Sequence, residues 1–245
     1  MTPTDDVTVL VPVDISGSYS LPVPVLELLS SVHVVVLGYY PVPSQAAPAQ
    51  IKHQHEASAR RQLEAVANHL SNHADAVTDI LVFTHDRDES VDRIADTYDV
   101  DAILTPGEGA SINRLLVPLR GDSNIENILS LVTALLNATN ASATLFHSVD
   151  ASDSDGHGEG ILEAAVDNLA GRGIDRSRID KQLSTDDDTV SDILTAEDGY
   201  DVLVIGESEP SLRDRILGRV PSRLLSNTPK PVFVVRDTNG TTTDS

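Results

Sequence analysis

Short apolar runs alternate with stretches of helical periodicity along the whole chain, and this alternation is the strongest constraint on its fold. Residues 50–74 and 89–98 carry apolar side chains at helical spacing. The runs between them are nearly continuous, which is typical of strands buried on both faces of a parallel sheet. In the first half of the sequence the runs are Val7–Val13, Val32–Tyr39, Ile80–Phe83 and Ala102–Thr105. The pattern predicts an α/β fold, with helices on both faces of an open parallel sheet.

The same series begins again at residue 113. Leu-Val-Pro-Leu at 116–119 closely resembles Leu-Val-Pro-Val at 10–13. The strands predicted in this second copy are Leu115–Leu119, Ala143–Val149, Ile179–Leu183, Asp201–Gly206 and Pro231–Arg236, and the helices are Asn124–Leu136, Gly160–Ala170, Thr189–Ala196 and Ser211–Ser226. The repeat predicts two tandem doubly wound domains, residues 1–112 and 113–237, followed by a disordered tail, residues 238–245.

The two repeats are unequal in length. After Thr105 the first repeat runs directly into the opening strand of the second, without room for a last helix and strand. The strand Asp101–Thr105 would therefore be an unpaired sheet edge. We expect either Pro231–Arg236 or a second molecule to cover it. Intrachain packing of the two halves is the first expectation, and a homodimer is the alternative.

The charge balance restricts the possible partners and the compartment. The formal net charge is −21, and only three of the seventeen basic residues are lysines. Such a surface repels nucleic acids and anionic membranes. Because the acidic residues are spread over the whole chain, we interpret it as a halophilic protein whose self-repulsion is screened by salt. An ordinary acidic protein is the alternative.

Two absences from the sequence lead to further expectations. The chain has no cysteine, which excludes disulfides and thiolate chemistry. Its apolar runs are too short to cross a bilayer, and the first residues contain no basic segment. We therefore expect a cytoplasmic protein without membrane insertion.

Three segments carry a resemblance to a known family: Val11–Ser16, Asp201–Gly206 and Pro229–Arg236. They resemble the universal stress protein (UspA-like) family, and the chain looks like a tandem pair of such domains, similar to halophilic archaeal members. The resemblance covers residues 113–237 well and the first repeat in part. It implies an open sheet of five parallel strands that dimerises through the fifth strand.

Nucleotide-binding members of this family have an aspartate after strand one and a glycine loop after strand four. The loop reads Gly, two residues, Gly, nine residues, Gly, then Ser or Thr, so that backbone amides can close on phosphates. In the second repeat Gly206 matches the first glycine, but Glu209 replaces the second. Gly218 follows after eight residues, and Arg219 replaces the hydroxyl residue. Arg120 stands at the aspartate position.

The first repeat has the opposite defect. Asp14 matches the aspartate, but the glycine loop is missing unless Gly107 and Gly109 form a short one. Neither repeat therefore has a complete nucleotide site. In the second repeat we hypothesise that Arg120 pairs with Glu207 or Glu209 and fills the empty space. The alternative is two solvated charges that never meet.

Other reactive side chains have structural interpretations. His69 and His73 stand four apart, but no third ligand accompanies them, which favours a solvated helix face. The acidic runs 150–156 and 186–188 lack the EF-hand spacing and are interpreted as solvated loops. His85 and His147 are interpreted as structural residues.

Three functions remain open from the sequence. The first is a regulatory or binding module with degenerate nucleotide sites, without a cofactor, which acts through an unidentified protein partner or senses a small molecule. The second is an ATP- or AMP-binding protein that uses backbone groups of Gly206, Ser208 and Gly218. The third is a small α/β hydrolase that uses Ser208 or a histidine, for which no acid/base partner can be named.

Overall fold

A computed structural model describes residues 7–17, 21–107, 111–120, 124–148, 156–184, 193, 199–207 and 228–237. Within them the strands are β1 (Thr8–Asp14), β2 (His33–Pro41), β3 (Ala76–Thr84), β4 (Ala102–Thr105), β5 (Arg114–Pro118), β6 (Ser142–Ser148), β7 (Ile179–Ser184), β8 (Val202–Gly206) and β9 (Val232–Val235). The α-helices are α1 (Val23–Leu28), α2 (Pro48–Ser71), α3 (Arg87–Thr97), α4 (Ile125–Ala138) and α5 (His157–Gly171). None of these helices combines the length and apolar character needed to span a membrane.

All the described strands join one sheet, in the order β3-β2-β1-β4-β9-β8-β5-β6-β7. β1 lies between β2 and β4, and β5 lies between β6 and β8, all in parallel. The strand direction reverses once, where β4 meets β9. The predicted α/β fold with a mostly parallel sheet is confirmed, and the two expected sheets form a single continuous one.

β9 occupies the open position beside β4. It pairs in parallel with β8 of the second repeat and antiparallel with β4 of the first repeat. Ala102 lies opposite Val235, Thr105 lies opposite Val232, and all four residues of β9 are buried. Of the two expected ways to cover β4, the structure uses the fifth strand of the second repeat. We call the contact between β4 and β9 the seam.

The seam is tight where β4 ends. A Cβ atom on Gly107 would lie 2.2 Å from the carbonyl carbon of Lys230 and 2.4 Å from the carbonyl oxygen of Pro229. Both distances are far inside van der Waals contact, so only glycine fits there. A cleft of about 320 Å³ lies beside it, between Thr105 and Thr228.

Apolar cores cover both faces of the sheet. On one face α1, α2, α4 and α5 share a single cluster that runs through both repeats, and α1 packs against α4. On the other face the clusters are separate, one beneath α3 and the other around Ile193 and Tyr200. β1 and β6 each contain five consecutive buried residues, in agreement with the continuous apolar runs.

Two elements differ from the sequence expectation. α1 was not expected, because Pro22 and Pro24 interrupt its apolar pattern, but proline is compatible with the first turn of a helix. β3 is nine residues long, whereas only Ile80–Phe83 was predicted. The predicted helix 211–226 and the tail 238–245 lie outside the described residues, as does helix 189–196 apart from Ile193.

Candidate functional site

The carboxyl ends of β5, β8 and β9 meet at one edge of the sheet, which is where open α/β sheets bind ligands. β5 pairs with β8, and β8 pairs with β9, all in parallel. The chain leaves these strands at Leu119, Glu207 and Arg236. We call this edge, together with the first turn of α4, the second crevice. The carboxyl ends of β1 and β4 form the first crevice.

In the second crevice the space around Gly206 is already occupied. A Cβ atom on Gly206 would lie 3.0 Å from Cδ1 of Ile128 and 3.7 Å from Nδ2 of Asn124, both on the first turn of α4. The backbone amide of Glu207 donates a hydrogen bond to the Val235 carbonyl at 2.8 Å. A phosphate cradle needs free amides after its first glycine. The first of these amides is held here by the sheet.

Two asparagines of α4 tie its first turn to β9. Asn124 is the N-cap residue, with φ 62°, yet its side chain does not cap the helix. Its Nδ2 instead donates to the Val235 carbonyl at 3.0 Å, and Nδ2 of Asn127 donates to the Arg236 carbonyl at 3.3 Å. The Oδ1 atom of Asn124 is buried and makes no hydrogen bond. Sequence reasoning missed both residues, since only their position at a predicted helix start marked them.

Glu207 faces β9 and not Arg120. Its Oε2 accepts a hydrogen bond from the Asp237 amide at 3.4 Å. Burial raises the pKa of the Glu207 carboxyl, although the Asp237 amide and the Arg236 guanidinium act in the opposite direction. Arg120 is exposed and makes no ion pair with Glu207. The predicted pairing of these two residues is therefore wrong, because the carboxylate turns toward the seam. The alternative pairing, of Arg120 with Glu209, involves a residue outside the described part of the chain.

A charged cluster links the second crevice to the first repeat. Arg236 Nη2 lies 2.6 Å from Oδ1 of Asp96 on α3, and the Arg236 amide donates to the Asp101 carbonyl at 2.8 Å. Burial raises the pKa of the nearby Asp92 carboxyl to about 6, Arg236 lowers it, and Asp96 and Glu207 raise it further. We call Asp92, Asp96, Glu207, Arg236 and Asp237 the seam cluster.

In the first crevice the predicted aspartate is engaged locally. Oδ1 of Asp14 accepts hydrogen bonds from the Ser16 amide at 2.8 Å and from the Ser16 hydroxyl at 2.7 Å. This arrangement is an Asx turn at the end of β1. Of the two glycines, Gly107 packs against the backbone of the seam, and Gly109 lies outside the described residues.

Several predicted site residues fall outside the described part of the chain: Ser208, Glu209, Gly218, Arg219 and the acidic runs 150–155 and 186–188. The histidines are described. Nδ1 of His85 is hydrogen-bonded to the Val42 carbonyl at 3.1 Å, and Nδ1 of His147 to the Leu119 carbonyl at 2.9 Å. These bonds agree with their structural interpretation. Among the described residues, no group of three or more histidine or acidic side chains could hold a metal ion.

The sequence matches a known protein family over its second repeat. The sequence profile described as "Universal stress protein family" matches residues 111–236, just over half of the 245 residues. The chain belongs to the universal stress protein family. Comparison with curated proteins gives no significant match.

Solved structures of universal stress proteins resemble the whole chain. A universal stress protein from Archaeoglobus fulgidus DSM 4304 matches with a TM-score of 0.67 and 14% identity, over 96% of this chain and 97% of that one. A candidate universal stress protein from Pseudomonas aeruginosa UCBPP-PA14 matches with a TM-score of 0.61 and 11% identity, over 96% and 95%. The cytoplasmic domain of a prokaryotic cation chloride cotransporter gives 0.56 and 12%, over 95% and 96%. These identities show the fold alone, and the fold match extends over both repeats.

The second crevice of this universal stress protein offers hydrogen-bond acceptors where a phosphate site would offer donors. The Asn124 oxygen and the Glu207 carboxylate are acceptors, and the Glu207 amide is already bonded. Acceptors in a partly buried crevice suit a proton, an amine or a neutral donor better than an anion.

Proposed function

We propose that the chain is a tandem universal stress protein-type regulatory module that binds rather than catalyses, with degenerate nucleotide sites. It acts through an unidentified protein partner or by sensing a small molecule in the stress response. The closed surroundings of Gly206 carry this proposal. Asn124 and Ile128 fill the space over the glycine, and the Glu207 amide is committed to Val235.

Electrostatics support the same conclusion. A phosphate at Gly206 would have to displace the first turn of α4 and approach the partly buried Glu207 carboxylate. It would also approach a protein with a formal charge of −21. An anion gains little from such a site, because the basic side chain held there, Arg236, is already paired with Asp96.

The domain organisation forms part of the proposal. Residues 1–112 and 113–237 make up two domains that form an intrachain pseudo-dimer and share the fifth strand β9. This arrangement takes the place of the pairing of two fifth strands that the family resemblance implied. We further propose that the protein works in the cytoplasm of a halophile, where salt screens its acidic surface. Nucleic acids and anionic membranes are not its partners.

One observation favours a second candidate, a protein that binds ATP or AMP through Gly206, Ser208 and Gly218. The buried Oδ1 of Asn124 lacks a donor, and an amino or hydroxyl group of a nucleoside could supply one if the first turn of α4 shifted. No described contact favours the hydrolase alternative at Ser208.

Thermal-shift and calorimetric titrations with ATP, ADP and AMP, in molar potassium chloride with magnesium, test the proposal. We expect no saturable stabilisation at millimolar nucleotide. Saturable stabilisation would contradict the proposal, since a ligand at a hundred times its dissociation constant adds about 2.7 kcal/mol. Gly206→Val and Asp14→Asn form a matched pair that would then identify the crevice. If only one variant loses the stabilisation by nucleotide, the nucleotide binds to the repeat that carries that substitution.

A further inference from the structure

The sheet formed by the described strands has two outer edges, β3 and β7, since β9 closes the gap between the repeats. An edge strand presents unpaired N–H and C=O groups that can bind another strand. Natural proteins protect such edges with charged side chains or keep them short. The two edges of this sheet differ in this respect.

β7 has the features of a protected edge. It is six residues long, and Asp180, Lys181, Gln182 and Leu183 are exposed. Two of these four side chains are charged, and Lys181 forms an ion pair with Glu163 of α5. A second strand that approached this edge would have to desolvate both charges.

β3 has less of this protection. It is nine residues long, and Asp79 is its only charged residue. Ile80, Leu81, Val82 and Phe83 are all partly exposed, although they are large and apolar. Ile80 and Val82 border the core beneath α3, and Leu81 and Phe83 border the core on the opposite face. Both apolar cores therefore end at this edge with their outermost side chains only partly covered.

We propose that β3 is the surface through which two copies of this chain associate, by antiparallel pairing about a two-fold axis at Ile80. In this register Phe83 of one copy lies opposite Val77 of the other, and Val82 lies opposite Thr78. Such aromatic and β-branched pairs are favourable across antiparallel strands. Asp79 lies opposite Leu81, so no like charges face each other. The chain itself therefore supplies a partner strand of equal length and matching apolar pattern.

The length of β3 and the charge of the chain set the conditions for this association. Nine paired residues give a contact about 30 Å long with on the order of eight main-chain hydrogen bonds. Each copy carries a formal charge of −21, so the copies repel each other at low ionic strength. Because the Debye length falls to about 3 Å at 1 M salt, potassium chloride should strengthen the dimer.

Sedimentation equilibrium of the full chain, at low and molar potassium chloride, measures the association. Ile80→Lys places two lysines opposite each other and should weaken the dimer about tenfold. Leu81→Lys places each new lysine opposite Asp79 of the other copy, so it should weaken the dimer clearly less than Ile80→Lys. Gln182→Lys makes the same change of charge at the β7 edge and should leave the dimer unchanged.

Three results would overturn the proposal: a monomer at every concentration in molar salt, a dimer insensitive to Ile80→Lys, or a dimer weakened equally by Gln182→Lys. Hydrogen exchange on the unmodified chain provides a test that needs no variant. Amides of residues 76–84 should become more protected as the protein concentration rises, and amides of residues 179–184 should not. If both edges respond equally, the association does not run through β3.

Discussion

Replacing Asp92 with asparagine should stabilise the protein at neutral pH and change little at low pH. Burial raises the pKa of the Asp92 carboxyl from 3.8 to about 6. The folded protein therefore holds this proton more tightly than the unfolded chain. The free energy of unfolding contributed by Asp92 is fully present below about pH 4 and is lost as the pH rises through about 6. The neutral amide of the variant has no such loss.

The size of the gain follows from the shift. Two pKa units correspond to about 3 kcal/mol. Asp92 is only partly buried, so solvent screening lowers the expected gain to about 1–2 kcal/mol. The shift already includes the favourable effect of Arg236, which lowers the pKa of Asp92. Glu207 adds a pH dependence of the same sign, so part of it should remain in the variant.

Urea unfolding at about pH 4 and about pH 8, in the same concentration of potassium chloride, measures the effect. Glu64→Gln is a suitable control, because Glu64 is exposed on α2 and its replacement removes the same charge. We expect Asp92→Asn to unfold at higher urea than the wild type at the higher pH alone. Equal stabilisation at both pH values, or destabilisation at the higher one, would refute the reasoning about the seam cluster.

Three further predictions concern the seam and the second crevice. Gly107→Val should destabilise the protein by at least about 2 kcal/mol in urea unfolding, because the valine side chain would overlap the backbone of Lys230. As a control, Gly17→Ala should be nearly neutral, since nothing lies within 4 Å of the added Cβ atom. Arg236→Met should lower the free energy of unfolding by about 1–2 kcal/mol at neutral pH and by less at about pH 4, because it leaves the carboxylates of the seam cluster without their cation. An equal loss of stability at both pH values would contradict this reasoning. Asn124→Asp should lower the free energy of unfolding by about 2 kcal/mol at neutral pH, because it replaces the donor to the Val235 carbonyl with an acceptor. An unchanged free energy of unfolding would show that this side-chain hydrogen bond contributes nothing.

Most of the inner strands could be predicted because they are nearly continuous apolar runs. The β4 bounds agree with Ala102–Thr105, since Asp101 and Pro106 end the run on either side. β3 extends further than its apolar centre because Thr78 and Asp79 also pair with β2. α1 escaped prediction because its prolines suggest a loop, whereas packing against α4 decides its conformation.

The site was only partly predictable. The family pattern drew attention to Gly206, and the hypothesis of an ion pair with Arg120 drew attention to Glu207. The sheet does bring both residues beside the end of β5. It could not reveal Asn124, whose bond to Val235 spans 111 residues, or the pair Arg236–Asp96, which spans 140. The sequence did predict that Pro231–Arg236 could pair with β4, but these side-chain contacts also depend on how α3 and α4 pack against that strand, which the sequence pattern does not specify.

The shared strand also has a consequence for biosynthesis. Ala102–Thr105 leaves the ribosome long before Val232–Val235, and at about 5–20 residues per second the delay is on the order of ten seconds. During that time β4 has an open edge and the first repeat cannot complete its sheet. The nascent chain is therefore exposed to mispairing with neighbouring chains until the last strand emerges. A stop codon just before β9 would leave β4 and β8 without the strand that both of them pair with. A single truncation would therefore disable both repeats at once.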